Sequence, residues 1–154
     1  MDTRTTGAKR NRLLFLAGAL AVAGFLGGTV QAHKNEHTKE QLKAYNEVFM
    51  AKVRLGDKLF HGDAEAQKKL GVKLSNTGMA CAMCHPFTSD THPAEFPKFQ
   101  EQIGEFATLR EMINWCIEKP NQGERIEPNS EAMKALEAYI YWSNKGSPLA
   151  AGTH

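Results

Sequence analysis

A Cys-Ala-Met-Cys-His run at residues 81–85 constrains this chain more than any other feature of its sequence. Two thiols separated by two residues can form thioethers along one side of a porphyrin, and the adjacent imidazole is then delivered to the iron. A bare C-x-x-C pair would also fit a redox dithiol or half of a zinc site. Because only Cys116 lies outside the run, no second pair completes such a zinc site. The run therefore predicts one covalent haem c attached to Cys81 and Cys84, with His85 as the proximal iron ligand.

The first 32 residues have the composition of a secretory signal peptide. Four basic residues between Arg4 and Arg12 precede an uncharged apolar run at 13–30, and Ala32 ends a small-residue cleavage site. The apolar run is also long enough to remain as a membrane anchor, although the polar sequence that follows it favours cleavage. In both cases we expect the folded part to lie in the periplasm, where covalent haem attachment takes place, with no membrane contact after cleavage.

Charge is nearly balanced once this leader is set aside. Residues 1–32 contain four of the 19 Lys and Arg residues and one of the 17 Asp and Glu residues, so the remaining chain has 15 and 16 and a formal charge of −1. It carries no basic stripe with interleaved aromatic residues, which would be typical of nucleic-acid binding. The remaining length suits one small domain. We therefore expect no nucleic-acid partner, and a haem would enlarge the apolar core of so small a domain.

Capping signals and helical spacing predict helices at both ends of the haem motif. The segment 38–41 fits a capping box, and apolar residues follow it at helical spacing as far as a stop at Gly62. A second capping box at 108–111 opens a helix that ends at Glu118, shortly before a proline. Strand signals are weak, so the pattern indicates an all-α protein.

For the rest of the chain, the sequence predicts loops, a last helix and a tail. Asn129 or Ser130 caps the last helix, which runs to Asn144. Residues 86–107 carry three prolines, so we expect an irregular segment that wraps the haem. No repeat or second domain is visible. The expected division is a signal peptide at 1–32, an N-terminal helical segment at 33–70, a monohaem domain at 71–146 and a tail at 147–154.

The side chain on the distal face of the iron decides the redox chemistry, and several candidates exist. They are Cys116, Met112, Met133, Met79 and His92. Met79 and His92 are tethered close to the attachment motif, so we expect them to stay on its side of the haem. Met112 and Cys116 lie one turn apart on the apolar face of the middle helix, and either could face the iron. From the residues alone, Cys116 is equally well interpreted as an iron ligand or as a small buried apolar side chain.

The order of helices and two short segments resemble cytochrome c class I. In that class the first helix crosses the last helix at a glycine and aromatic residues. Here Gly56-Asp57-Lys58-Leu59-Phe60 and Leu136-Glu137-Ala138-Tyr139-Ile140 resemble the two crossing segments. The resemblance implies an all-α, cytochrome c class I fold with a single haem domain and an N-terminal helical extension.

Residues 78–146 more specifically resemble the haem domains of the sulfur-oxidation cytochrome SoxA and of thiosulfate dehydrogenase. The shared elements after the haem motif are Phe96-Pro97-Lys98-Phe99, Ile113-Asn114-Trp115-Cys116 and Ser130-Glu131-Ala132-Met133-Lys134-Ala135-Leu136-Glu137-Ala138-Tyr139-Ile140. In that family the cysteine of the middle helix is the distal haem ligand. The resemblance therefore implies that Cys116 binds the iron, with Met112 as the alternative, whereas Met133 matches a packing position.

Several departures from that family bear on function. Met112 and Glu105 stand where the family has arginines, and one haem motif is present where thiosulfate dehydrogenase has two haem domains. Fewer cations weaken a site for a dianion such as thiosulfate. A Cys116 thiolate would stabilise ferric iron and lower the potential, whereas a methionine ligand would raise it. We predict a low-potential monohaem electron carrier with redox proteins as partners. The alternative is a subunit of a sulfur-oxidation haem enzyme complex, paired with a second cytochrome subunit.

Overall fold

The computed structural model describes residues 37–147. The predicted signal peptide at 1–32 and the predicted tail after its first residue lie outside the described residues. The helices and strands of the described part are α1 Lys39–Phe60, α2 Ala64–Leu70, α3 Cys81–Cys84, β1 Lys98–Gln100, β2 Glu105–Ala107, α4 Leu109–Glu118 and α5 Glu131–Ser143. Two 3₁₀ turns, Thr88–Thr91 and Pro93–Glu95, lie between α3 and β1. Within residues 37–147, no helix combines the length and the apolar character that crossing a bilayer requires.

Helix α1 begins at the capping box that the sequence predicts. The Thr38 hydroxyl accepts a hydrogen bond from the Gln41 amide at 3.2 Å, and the Thr38 amide donates to Oε1 of Gln41 at 2.9 Å. This reciprocal pair satisfies backbone donors that the first turn of a helix leaves free. Helix α1 then ends at Phe60, just before Gly62, whose φ of 79° suits glycine.

The second half of α1 crosses α5 at close range. A Cβ atom on Gly56 would lie 1.9 Å from the backbone oxygen of Ala135 and 2.7 Å from Cβ of Tyr139. Only glycine therefore permits this approach. Next to it, the rings of Phe60 and Tyr139 meet edge to face with centroids 5.4 Å apart. The crossing predicted from the two short segments is confirmed.

Helices α4 and α5 also begin where the sequence places their caps. Thr108 and Glu111 form the second capping box, and the Ser130 hydroxyl accepts from the Met133 amide at 3.2 Å. Of the two predicted caps for α5, Ser130 is the one used. Asn144 closes α5, as predicted, and its backbone N–H reaches the carbonyl of Ile140.

Residues on both sides of position 70 share one core. Leu59 and Phe60 of α1 are buried in the same cluster as Ile117 of α4 and Leu136 of α5. The two sequence regions divided at residue 70 therefore pack as one unit. By contrast, the first half of α1 exposes a row of apolar side chains: Leu42, Tyr45, Val48 and Phe49.

The segment expected to be irregular contains a small hairpin. Strands β1 and β2 pair antiparallel, with Phe99 opposite Phe106. Both phenylalanine side chains are largely exposed. The turn between the strands includes Gly104, whose φ is 82°. Three-residue strands leave too short an alternating pattern for the sequence to reveal them.

Candidate haem site

Helix α3 is a single turn that carries the attachment motif. The amide of His85 donates to the carbonyl of Cys81 at 2.9 Å, so the imidazole follows directly from the turn that spaces the two thiols. Cys81 is partly buried, Cys84 is exposed, and Met83 between them points outward with 67% of its surface exposed. Met83 does not line the cavity described next.

A cavity of about 320 Å³ opens beside this turn. Its apolar wall consists of Phe60, Phe96, Leu109, Ile113, Leu136 and Ile140. Cys81 of α3 and His85, the residue directly after that helix, line it, and so do Met112 and Cys116 of α4. Thiols and imidazole around an apolar slot form a donor set that suits a c-type haem. The residues present therefore fit the cofactor that the motif predicts.

The predicted site residues are thus brought together with one difference in placement. Cys84 is on the exposed side of the α3 turn and does not line the cavity. Among the other distal candidates, Met133 is fully buried in the core and does not line the cavity, and neither does Met79. His92 does line it, and its side chain is 43% exposed.

The thiols around the cavity are poor acids in this environment. Burial raises the pKa of Cys81 to about 11, and the nearby Cys116 adds to the rise. Burial likewise raises the pKa of Cys116 to about 11, with Cys84 contributing. Before haem is attached, both thiols therefore carry a proton at neutral pH. Forming a thioether at Cys81 or a metal bond at Cys116 must displace that proton.

Polar groups lie at one side of the cavity, on the loop and hairpin. Lys98 is the only Lys or Arg among residues 37–147 that lines it, and its ammonium contacts the carboxylate of buried Glu95. Nδ1 of His92 lies 4.0 Å from Oε1 of the same Glu95. Gln100 and Gln102 complete this polar side. The positive charge of Lys98 is therefore matched by a carboxylate inside the protein.

Arg110, in the first turn of α4, is engaged away from the cavity. Its Nη2 lies 2.7 Å from Oε2 of Glu137, and its Nη1 donates to the carbonyl of Pro128 and to Oδ1 of Asn129, each at 3.2 Å. These bonds join α4 to α5 and to the loop before α5. Arg110 does not line the cavity, so it adds no donor there.

Asn114 anchors the loop after α4, a role that its place in the Ile113-Asn114-Trp115-Cys116 motif does not reveal. It is fully buried in α4, donates from Nδ2 to the carbonyl of Ile126 at 2.9 Å, and accepts from the Ile126 amide at 3.0 Å. The amide side chain thereby replaces a backbone partner for the loop after α4. These bonds hold the loop after α4 against that helix.

Asp90 is the second residue that sequence reasoning missed. Its Oδ1 lies 3.2 Å from Nδ1 of His85, and it lines the cavity. No sequence pattern signals this contact, because the two residues approach through the 3₁₀ turn rather than through a regular spacing.

Comparison with known proteins agrees with this architecture. Over 112 residues the chain is 27% identical to a thiosulfate dehydrogenase from Psychrobacter arcticus. The aligned region covers 66% of this chain but only 32% of that protein. The chain therefore spans about a third of the length of this relative. The family model described as SoxA/TsdA, cytochrome c domain, matches residues 65–149. The chain belongs to the SoxA/TsdA cytochrome c domain family, and it is an all-α c-type cytochrome with covalently bound haem c.

Proposed function

We propose that this protein is a periplasmic, low-potential monohaem electron carrier with His85 and Cys116 as the iron ligands. The observation that carries the proposal is that these two side chains line one apolar cavity, His85 from the residue after α3 and Cys116 from α4. Haem c supplies one-electron chemistry when bound. The protein supplies the ligands, the apolar wall and the surface through which the electron leaves.

Cys116 is favoured over Met112 on the distal side by its family position and by its redox chemistry. Both side chains line the cavity, but Cys116 matches the position of the ligand cysteine in the resembled family. An unpaired thiol in an oxidising compartment is also exposed to oxidation, and an iron bond protects it. Met112 then packs beside the haem as a polarizable apolar side chain.

Thiolate ligation sets the direction of the midpoint potential. A coordinated thiol is deprotonated outright, and its negative charge favours ferric over ferrous iron. The apolar wall of the cavity, which includes Leu109 and Ile113, leaves little solvent to screen that charge. The potential is therefore expected to be negative, unlike that of methionine-ligated cytochromes c.

The surroundings of the attachment turn suit electron transfer. With both His85 and Cys116 bound, the iron would have no open position, so substrate binding at iron would require ligand loss. Cys84 is exposed, and Met83 and Phe87 beside it are 67% and 73% exposed. This apolar surface supports a small, transient contact with a redox protein partner. The leader-like residues 1–32 support a periplasmic location.

Electron paramagnetic resonance and potentiometry on the purified holoprotein test the ligand assignment. Cys116→Ala should abolish the thiolate signature of the ferric protein and raise the midpoint potential by on the order of 100 mV, since axial ligands set haem potentials over ~0.8 V. Met112→Leu is the matched control, because it keeps volume in the same cavity and should leave both readouts close to wild type. Unchanged spectra in Cys116→Ala, with altered spectra in Met112→Leu, would show that methionine is the ligand.

A second candidate function is a subunit of a sulfur-oxidation haem enzyme complex, with a second cytochrome as its partner. The similarity to a thiosulfate dehydrogenase favours it. The matched charge of Lys98 and the engagement of Arg110 weigh against it, because a sulfur oxyanion needs free cationic donors. Steady-state assays with thiosulfate and tetrathionate separate the two. Turnover that Cys116→Ala abolishes would establish the enzyme function, whereas reversible oxidation without turnover supports the carrier.

A further inference from the structure

We infer that Asp90 is a positioning residue for the proximal haem ligand, an inference that rests on the proposed ligation by His85. Nδ1 of His85 lies 3.2 Å from Oδ1 of Asp90. A carboxylate can only accept a hydrogen bond, so the ring must donate from Nδ1. The other ring nitrogen, Nε2, is then left with its lone pair for the iron. The contact therefore selects the tautomer of His85 that can bind metal.

Asp90 is held in place by the 3₁₀ turn that carries it. Its amide donates to the carbonyl of Phe87 at 2.9 Å, and the Thr91 hydroxyl donates to the carbonyl of Thr88 at 2.6 Å. These bonds fix the backbone on both sides of Asp90. The carboxylate is therefore directed by its own turn rather than by a flexible loop.

Helix α5 anchors that turn to the core. Nδ2 of Asn144 donates to the carbonyl of Thr88 at 2.9 Å, and the Thr88 hydroxyl donates to the Tyr139 hydroxyl at 3.2 Å. Thr88 and Asn144 are both buried. Hydrogen bonds thus join the end of α5 to the turn, and a further one joins Asp90 of that turn to His85. Such a supported carboxylate can hold the orientation of the imidazole ring.

The same contact tunes the iron. A carboxylate that accepts the Nδ1 proton increases the electron donation of Nε2, which favours ferric iron and lowers the potential. As an ion pair at the surface, by contrast, the contact contributes little to stability, because the side chains of His85 and Asp90 are 39% and 40% exposed. Replacing Asp90 should therefore change the midpoint potential if Asp90 positions His85, whereas a merely structural role would affect stability and leave the potential unchanged.

Midpoint potentials of the holoprotein and of Asp90→Asn, Asp90→Ala and Asp90→Glu test the inference. Asp90→Asn keeps an acceptor but removes the charge, and the ferrous-to-ferric ratio at a fixed electrode potential should rise about tenfold, which is 59 mV for a one-electron couple. Asp90→Ala should move the potential at least as far and broaden the ferric resonance signals, because the ring is no longer oriented. Asp90→Glu, which retains the charge, should recover most of the wild-type potential.

The chain offers a matched control in a second His–Asp pair. Oδ1 of Asp57 lies 3.0 Å from Nδ1 of His61 at the end of α1, and neither residue lines the cavity. Asp57→Asn removes the same charge from the same kind of pair and should leave the potential near wild type. Equal shifts in Asp57→Asn and Asp90→Asn, or no shift in Asp90→Asn, would overturn the inference. A wild-type spectrum without histidine ligation would overturn the proposed proximal ligand as well, so the two failures are distinguishable.

Discussion

Replacing Gly56 by alanine tests whether the helix crossing is as close as described. The added Cβ would lie 1.9 Å from the backbone oxygen of Ala135, 2.6 Å from its carbonyl carbon and 2.7 Å from Cβ of Tyr139. Ordinary contacts of this kind begin at 3.4 Å. The helices must therefore separate by roughly 1.5 Å. The obstructing atoms cannot rotate away, because two of them belong to the backbone of α5.

Two opposing effects decide the sign of the change in unfolding free energy. Alanine is favoured over glycine inside a helix by about 1 kcal/mol, which would stabilise α1. Overpacking costs about 1–3 kcal/mol, occasionally more, and here it also loosens the packing of Leu59 and Phe60 in the core. A backbone clash at 1.9 Å lies at the severe end of such cases. We therefore expect a net loss of about 2 kcal/mol or more.

Denaturant unfolding of the haem-loaded Gly56→Ala protein measures this loss. Ala51→Gly is the matched control, since Ala51 is exposed on the same helix and the change should cost only about 1 kcal/mol through helix propensity. If Gly56→Ala were as stable as wild type or more stable, helix propensity would have outweighed the clash. The close crossing of α1 and α5 would then be wrong.

Two further predictions concern α4. Asn114→Ala should destabilise the protein by about 1–3 kcal/mol in denaturant unfolding, because the buried amide and carbonyl of Ile126 lose their partners; a loss below ~0.5 kcal/mol, as at an ordinary surface site, would contradict this role. Hydrogen bonds from the backbone and the hydroxyl of Thr108 lower the pKa of Glu111 from its usual value of 4.5. The folded-state pKa is the lower one, so this stabilisation is complete above pH 4.5 and is lost as the pH falls below it. Glu111→Gln should flatten that acid-side loss in thermal melts, whereas Glu101→Gln in the exposed hairpin turn should not.

The parts of the fold that the sequence predicts are those with local causes. The caps at Thr38, Thr108 and Ser130 each act within one helical turn, so their residues are sufficient to locate α1, α4 and α5. The crossing at Gly56 was found through a resemblance to known helix pairs. The hairpin was not predicted, because its pairing depends on two three-residue strands that meet across a turn.

The same distinction applies to the site. Cys81 and His85 follow from spacing alone, and Met112 and Cys116 follow from the helical period that places them on one face. The roles of Asn114 and Asp90 could not be predicted in this way. Each depends on a side chain that reaches a loop partner whose position is set by tertiary packing.

The charges beside the cavity connect this family fold to the proposed function. A cavity that binds sulfur oxyanions must offer positive charge that the protein has not already neutralised. Here Lys98 lies against the carboxylate of Glu95, which is only 3% exposed, and a carboxylate this deeply buried is stabilised by its cation. Releasing Lys98 to a substrate would leave Glu95 buried without that cation. Breaking a buried ion pair in this way costs on the order of several kcal/mol. A dianion would therefore have to overcome that cost before gaining any attraction, whereas electron transfer requires no such rearrangement. The arrangement of charge thus favours the carrier over the sulfur enzyme.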